Sequence, residues 1–236
     1  MLSDLPDCLV LHILSFLDTK EVIQTCILST RWKNIWKHLP NLTLRTLSSQ
    51  FNTLEAFSIF ISNILSLRDS STTLNNVNLR HMNFIIDPRL LETVIEYAVS
   101  NNIKLLDVYL SSCIQCFPPC LFSSPTLTSL HLRVTTSNKI LFPNSLNLPA
   151  LTSLFLWSFS FPLGYDGRAE PFSKLKMLKH LAINNCEVMD AQNLCISSIT
   201  LVALLIITCP YCFGIELSTP SLIVFYFEGI TQFGEL

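Results

Sequence analysis

The stretch Leu127-Thr128-Ser129-Leu130-His131-Leu132 is written again almost letter for letter at Leu151-Thr152-Ser153-Leu154-Phe155-Leu156. A proline stands two residues ahead of each copy, Pro125 and Pro149. Weaker copies of the same L-x-x-L-x-L spacing begin at Leu74, Leu105, Leu178, Leu201 and Leu222. Successive starts lie 31, 22, 24, 27, 23 and 21 residues apart, a mean period of about 25 that falls in the leucine-rich-repeat range. In such a repeat each unit supplies one strand, and no unit can bury its apolar face without its neighbours. The expected fold class is therefore α/β: a leucine-rich-repeat solenoid over 41–236, with a parallel concave sheet and a convex side of helices and loops. The uneven steps place the variation in the outer connections.

Segments ahead of the clear repeats fit this scheme. Asn41-Leu42-Thr43-Leu44 alternates like a strand. Asn52-Thr53-Leu54-Glu55 has capping-box spacing and opens a helix through Leu67, with Leu54, Phe57, Ile61, Ile64 and Leu65 inward. Asp87-Pro88 starts another, with Leu91, Val94, Ile95 and Ala98 inward, ending near Asn101-Asn102. Later connections carry Pro118-Pro119, Pro125, Pro143 and Pro149, so their convex side is expected to be loops.

Composition narrows the function classes. Half the residues are hydrophobic and 14% are charged, which suits strands covered by neighbours on both sides. The longest wholly apolar run, Leu201 to Ile207, has seven residues, against about 20 for a spanning helix, so no membrane is expected as a partner. A net charge of −2 from 15 basic and 17 acidic residues leaves no electrostatic footprint for nucleic acid. The start Met-Leu-Ser-Asp-Leu-Pro-Asp has no basic segment and does not read as a secretory signal. An intracellular protein of the cytoplasm and/or nucleus is expected, with its nine cysteines reduced.

The first forty residues follow a different rule. Three short helices are readable between Leu5 and His38: one opened by Pro6, one capped by Asp18-Thr19-Lys20-Glu21, and one over Thr30 to Lys37 capped by Ser29. The third carries Trp32 and Trp36 at i, i+4. Forty residues sit at the lower limit for independent folding, so part of this apolar surface must face something else. Docking onto the repeats as an N-terminal cap and docking onto a separate partner both satisfy the pattern.

Leu5-Pro6-Asp7, Ile13-Leu14-Ser15-Phe16-Leu17, Leu28-Ser29-Thr30-Arg31-Trp32 and Trp36 closely resemble an F-box, in particular that of plant F-box/leucine-rich-repeat proteins. Thr30 stands where that box usually has Lys and Ile35 where it has Leu. Leu90 to Leu132 resembles the same family in its helix, strand and Pro118-Pro119-Cys120-Leu121-Phe122 connector. The resemblance implies a box over 1–40 that binds a Skp-type adaptor and, through it, a cullin scaffold. It also implies that Leu5, Pro6 and Asp7 start the adaptor-facing helix, with Ile13, Leu17, Leu28, Trp32 and Trp36 supplying apolar contact. The family often continues into further repeats and a C-terminal domain, so this chain looks short or truncated.

Two CxxC pairs, Cys113-x-x-Cys116 and Cys209-x-x-Cys212, invite a zinc reading. Repeat spacing opposes it. Cys113, Cys186 and Cys209 each lie eight residues after a repeat start (105, 178, 201), the Asn/Cys position of such repeats. The pairs begin four repeats apart, about 19 Å at one strand spacing per repeat, which no single ion bridges. With no H-E-x-x-H, G-x-S-x-G, P-loop or G-x-G-x-x-G, no catalytic residue, metal or cofactor is expected.

Between the last two apolar positions of each repeat, one side chain should face the concave side. That ladder reads Asn78, Tyr109, His131, Phe155, Ala182, Leu205 and Tyr226, with Trp157 beside it. Tyr109, His131, Phe155 and Trp157 are the candidate substrate-binding residues. The functional expectation is a substrate-recognition subunit of an SCF-type ubiquitin ligase, itself non-catalytic, binding an unidentified target protein. A repeat scaffold with no ligase role is the alternative, and a Cys-dependent enzyme a remote third.

Overall fold

The computed structural model describes residues 5–46, 51, 53–82, 86–112, 114–136, 138–164, 167–191, 193–209 and 214–229. The chain divides into two compact units, Met1–Ser112 and Cys113–Leu236.

In the first unit, helix α1 (Asp7–Leu14) and helix α2 (Thr19–Gln24) lead into a 3-10 turn, Thr25–Ile27. Asp18 and Glu21 form a reciprocal capping box: the Glu21 amide donates to Asp18 Oδ1 at 2.8 Å and the Asp18 amide to Glu21 Oε2 at 2.9 Å. The expected third helix does not form as an α-helix. From Ser29 onward the backbone bonds run i→i−3 (Trp32 to Ser29, Ile35 to Trp32, Lys37 to Asn34, Leu39 to Trp36), ending in a 3-10 helix, Ile35–His38. In that tighter winding residues three apart eclipse, so Trp32 pairs with Ile35 and Trp36 with Leu39, and all four are buried.

Strand β1 (Asn41–Thr46), helix α3 (Leu54–Leu67), strand β2 (Asn76–His81), helix α4 (Pro88–Ser100) and strand β3 (Leu105–Leu110) complete the unit. The three strands are parallel, in the order β1-β2-β3. Both helices form where sequence puts them. Thr53 Oγ1 accepts the Ala56 amide at 3.1 Å, and Asp87 Oδ1 accepts the Arg89 amide at 2.9 Å with Pro88 opening the helix. Asn52, the expected cap of α3, lies outside the described residues. Phe57, Ile61, Ile64 and Leu65 of α3 and Leu90, Leu91, Val94, Ile95 and Ala98 of α4 are buried, whereas Leu54 is only partly covered.

One repeat frame moves. Val77 pairs with Leu106 and Leu79 with Val108, so Ile103, not Leu105, holds the place of Leu74. Ile103, Leu106 and Val108 are fully buried while Leu105 is not. The shift of two keeps Tyr109 on the face expected for it, but sets Asp107 opposite Asn78 and Tyr109 opposite Arg80.

Arg68, the residue that ends α3, is the buried clamp of this unit. Its guanidinium donates to the carbonyls of Leu39 (3.3 and 3.1 Å), Thr72 (3.0 Å) and Thr73 (3.2 Å), which ties the exit of the helical head to the approach to β2. A second buried polar group has no such partners. Both ring nitrogens of His81 lack a hydrogen bond, its ring meets Phe57 edge-on at 5.7 Å, and burial pushes its pKa down.

The second unit contains strands β4 (Ser129–Val134), β5 (Ile140–Leu141), β6 (Ser153–Trp157), β7 (Phe159–Phe161), β8 (His180–Asn184), β9 (Glu187–Val188), β10 (Leu194–Ser197), β11 (Ala203–Ile207), β12 (Ile215–Ser218) and β13 (Val224–Glu228). Five of them form a parallel ladder, β4-β6-β8-β11-β13. Leu130 pairs with Leu154, Leu154 with Leu181, Leu181 with Leu204 and Leu204 with Phe225, so these frames are the ones the leucines predict. Three of these strands stop for a local reason. Ser158, Asn185 and Thr208 take left-handed φ values of 66°, 49° and 51° directly after β6, β8 and β11. Their amides donate to Asn184, Ile207 and Glu228 of the next strand.

The expected loop side of this unit is more ordered than its prolines suggest. Short parallel ladders β5-β7-β9 and β10-β12 line it. Beneath lies an aromatic cluster: the Phe142 ring meets Phe122, Phe159, Phe161 and Phe172 at 5.7–5.9 Å between centroids, all but one of them edge-on. No helix among the described residues is long and apolar enough to cross a membrane.

Candidate functional site

The helical head divides its apolar residues between an interior and an exposed surface. Val10, Leu14, Val22, Trp32, Ile35 and Trp36 fill its interior, where α1 and α2 pack against the 3-10 helix. Each tryptophan is 6% exposed, and the Trp32 indole N–H is buried without an acceptor. Outside lie Leu9, Ile13, Phe16, Leu17, Ile27 and Leu28, all large and all exposed, with Ile27 at 88%, Phe16 at 76% and Leu28 at 68%. Leu9 and Ile13 follow i, i+4 spacing on α1, one position ahead of the buried Val10 and Leu14, and Leu17 continues that spacing beyond the helix end. Leu5 is half-buried, Pro6 and Asp7 are exposed, and the Asp7 carboxylate is bridged by the Arg31 guanidinium. That ion pair ties the start of α1 to the segment just after Leu28.

Of the eight head residues expected to face a partner, Pro6, Asp7, Ile13, Leu17 and Leu28 are exposed and Leu5 is partly so. Trp32 and Trp36 lie inside the head. Burying the two largest side chains removes the most apolar area from water, while Leu9, Ile13, Phe16, Leu17, Ile27 and Leu28 are left outside. Leu9, Phe16 and Ile27 were not among the expected contacts. The i, i+4 spacing from Ile13 would have found Leu9, whereas nothing in the sequence marks Ile27 as more exposed than Ile23.

The head is also attached to the sheet of its own unit. The Thr43 amide of β1 donates to Thr19 Oγ1 at 3.0 Å, and the Asp69 amide to the Lys37 carbonyl at 3.1 Å. The exposed aliphatic face takes no part in those bonds.

In the second unit, His131, Phe155 and Trp157 are half-buried on one face of the ladder. His131 pairs with Phe155 in register, with ring centroids 6.1 Å apart and planes at 68°. Arg133 pairs with Trp157, and its guanidinium sits 5.5 Å over the Phe155 ring. Ser129 Oγ lies 3.2 Å from His131 Nε2. The result is a flat patch of π surface flanked by a cation, suited to an aromatic or acidic side chain. Tyr109, in the first unit, is half-buried opposite Arg80, whose guanidinium approaches Asp107 at 3.9 Å; Asn78 Nδ2 donates to that same carboxylate at 3.0 Å. Tyr109 therefore neighbours a polar, charged pair in its sheet rather than an apolar ladder.

Cys186 and Cys209, two of the three cysteines expected at the Asn/Cys position, bond to the backbone beside them. Cys186 Sγ donates to the carbonyls of Asn184 (3.3 Å) and Leu156 (3.7 Å), and Cys209 Sγ to that of Ile207 (3.5 Å). Burial pushes the Cys186 thiol up to about 12, the opposite of what a reactive or metal-binding thiolate needs. Cys113 and Cys212 lie outside the described residues. With the frame at β3 moved to Ile103, Ser111 takes the Asn/Cys place, its amide donating to the His81 carbonyl at 3.0 Å. Among the described residues no group of three His, Cys, Asp or Glu stands close enough to hold a metal ion.

Comparison with known proteins points the same way as the head. The F-box domain matches residues 2–44. F-box/LRR-repeat protein 13 of Arabidopsis thaliana is 30% identical over 173 residues, which cover 70% of this chain and 37% of that protein. An F-box/FBD/LRR-repeat protein of the same plant is 36% identical over 135 residues, covering 56% and 30%. Another with the same description is 28% identical over 216 residues, covering 86% and 45%. The chain thus spans about a third to just under half the length of these curated relatives. No solved structure matches it.

Proposed function

The chain belongs to the plant F-box/leucine-rich-repeat family, and from that premise we propose that it is the substrate-recognition subunit of an SCF-type ubiquitin ligase. The observation that carries this reading is the set of exposed apolar side chains of the head, Leu9, Ile13, Phe16, Leu17, Ile27 and Leu28, beside a tryptophan core that is already closed. A face of that size and apolarity marks a protein partner, and in this family the partner is a Skp-type adaptor that leads to a cullin scaffold. Leu5, Pro6, Asp7, Ile13, Leu17 and Leu28 touch the adaptor in this reading. Trp32 and Trp36 act from behind, holding that face in shape.

We further propose that 1–40 is the box and 41–236 a leucine-rich-repeat solenoid whose target face includes His131, Phe155 and Trp157, with Tyr109 in the first unit. The mechanism is positioning. Holding a target near a charged conjugating enzyme raises the effective concentration of its lysines, and the chain makes and breaks no covalent bond itself. No cofactor, nucleic acid or membrane enters this reading, and the site of action is the cytoplasm or nucleus.

A second reading has its own observation. The Thr43–Thr19 bond and the Asp69–Lys37 bond support a head that serves only to cap the sheet, with no ligase link. It gives no role to Leu28 or Ile27. Co-expression with a Skp-type adaptor separates the two. The full chain should co-purify with the adaptor, the Leu5→Ala/Pro6→Ala double variant should not, and the capping reading requires both to run alone.

A further inference from the structure

Strands β1 and β2 pair in register, and the residues opposite each other near their ends, Arg45 and Arg80, are both arginine. Leu42, Leu44, Val77 and Leu79 point to the buried side of this sheet, so Arg45 and Arg80 share the other face. At one strand spacing, about 4.8 Å, like charges directly opposite each other destabilise the pair. Little nearby offsets that cost. Arg45 is exposed, and among the described residues its side chain makes no ion pair or hydrogen bond. Arg80 Nε donates to Asn78 Oδ1 at 3.2 Å. A terminal nitrogen of Arg80 lies 3.9 Å from Asp107 Oδ2, an ion pair too long to be a hydrogen bond. Both guanidinium forks therefore keep donors turned outward on one face of β1 and β2.

We propose that Arg45 and Arg80 form a binding site for a carboxylate, carried on a side chain of an acidic, extended segment of the target protein. A guanidinium fork matches the two oxygens of a carboxylate, and an anion held by both forks removes the repulsion between them. Asp107 sets the charge of that anion. Its side chain is 9% exposed, lies 3.9 Å from Arg80 and accepts from Asn78 Nδ2 at 3.0 Å, so a fixed negative charge already stands behind the site. A phosphoryl group with nearly two charges meets that neighbour less favourably than a carboxylate with one.

The rest of the face fits a peptide. Asn41 lies opposite Asn76 and Thr43 opposite Asn78, all half-buried on the same side as the arginines. Their carboxamides and hydroxyl both donate and accept, as a peptide backbone requires of its partners. An open sheet face does not enclose a small molecule, whose sites are concave and bury most of the ligand. In an extended segment alternate side chains point one way, so acids at every second position face the arginines together. A few charge-assisted contacts on an open surface give a Kd on the order of 100 μM. The inference rests on the reading of this sheet face as target surface, and names the chemistry that the face takes.

Fluorescence polarisation of a labelled peptide of alternating Glu and Ala, acetylated and amidated at its ends, titrated with the full chain, tests it. The parent chain should bind this peptide, and should bind neither its Gln-Ala counterpart nor, as tightly, its phosphoserine-Ala counterpart. Arg45→Gln should weaken binding of the Glu-Ala peptide about tenfold without lowering the melting temperature. Arg89→Gln removes the same charge from the exposed first turn of α4 and should change nothing. Asp107→Asn should shift preference toward the phosphoserine peptide. No binding by the parent chain, equal losses from Arg45→Gln and Arg89→Gln, or a parent that prefers phosphoserine each overturn the proposal. Adaptor binding, measured on the same chain, keeps the two readings apart: peptide binding lost with adaptor binding intact sinks this inference and leaves the ligase reading standing.

Discussion

The helical head and the repeat strands treat aliphatic side chains in opposite ways. In the ladder of the second unit Leu130, Leu132, Leu156, Ile183, Leu204 and Ile206 have no accessible surface, because each strand covers the apolar line of the one before it. The head has no such succession of neighbours. It closes a small core over two tryptophans and leaves six large aliphatic and aromatic residues in water. A repeat hides its leucines by being repeated, whereas a single short module can hide only some of them. The remainder is surface that a partner can use.

The largest test of this contrast is a pair of truncations. Phe142→Ala, at the centre of the ring cluster, should cost about 3–5 kcal/mol in urea unfolding, while Leu28→Ala should change stability by no more than about 0.5 kcal/mol. Comparable losses at both sites would show that the head hides Leu28 after all. A smaller effect belongs to His81, buried without partners. Its folded pKa lies below the ordinary 6.5, so the unfolded chain binds the proton first as pH falls. Stability should be complete above pH 6.5 and decline below it until the folded pKa is passed, no more steeply than about 1.4 kcal/mol per pH unit. His81→Leu should flatten that slope, and an unchanged slope would assign it elsewhere.

Within the head, Asp18→Ala removes the acceptor of the capping box and should cost about 1 kcal/mol; no loss would mean that α2 is held by packing alone. The smallest effect concerns the turn that ends β11. Thr208 is a β-branched residue at φ 51°, where Asn185 serves the preceding repeat. Thr208→Asn should stabilise by about 0.5–1 kcal/mol, read as a higher melting temperature.

Much of this arrangement is legible in the sequence, and the failures have identifiable causes. Helix α4 could be read almost to the residue because Asp87-Pro88 supplies both cap and first turn, and the apolar period then runs unbroken to Ala98. The strand frames of the second unit follow from leucines that have no competitors nearby. At β3 two frames fit, Ile103-x-x-Leu106-x-Val108 and Leu105-x-x-Val108-x-Leu110. Pairing decides between them: the amides of Lys104 and Leu105 both donate to the Asn75 carbonyl, which fixes the register against β2. That slip of two moved Tyr109 away from the place first given to it. Spacing set Trp32 and Trp36 on one face of an α-helix, but the chain winds more tightly there and both lie inside the head. Arg68 left no sequence signal at all, since its partners are backbone carbonyls of the connections on either side of α3.

The central claim is that the exposed aliphatic face of the head holds a Skp-type adaptor. It is tested most directly by calorimetric titration of the full chain and its Leu28→Asp variant with a purified adaptor. The account predicts binding by the parent chain and at least a thirtyfold weaker Kd for the variant, the scale of losing about 2 kcal/mol at an interface hot spot, with equal melting temperatures for both. No heat of binding from the parent chain, or equal affinity for the two, would contradict it.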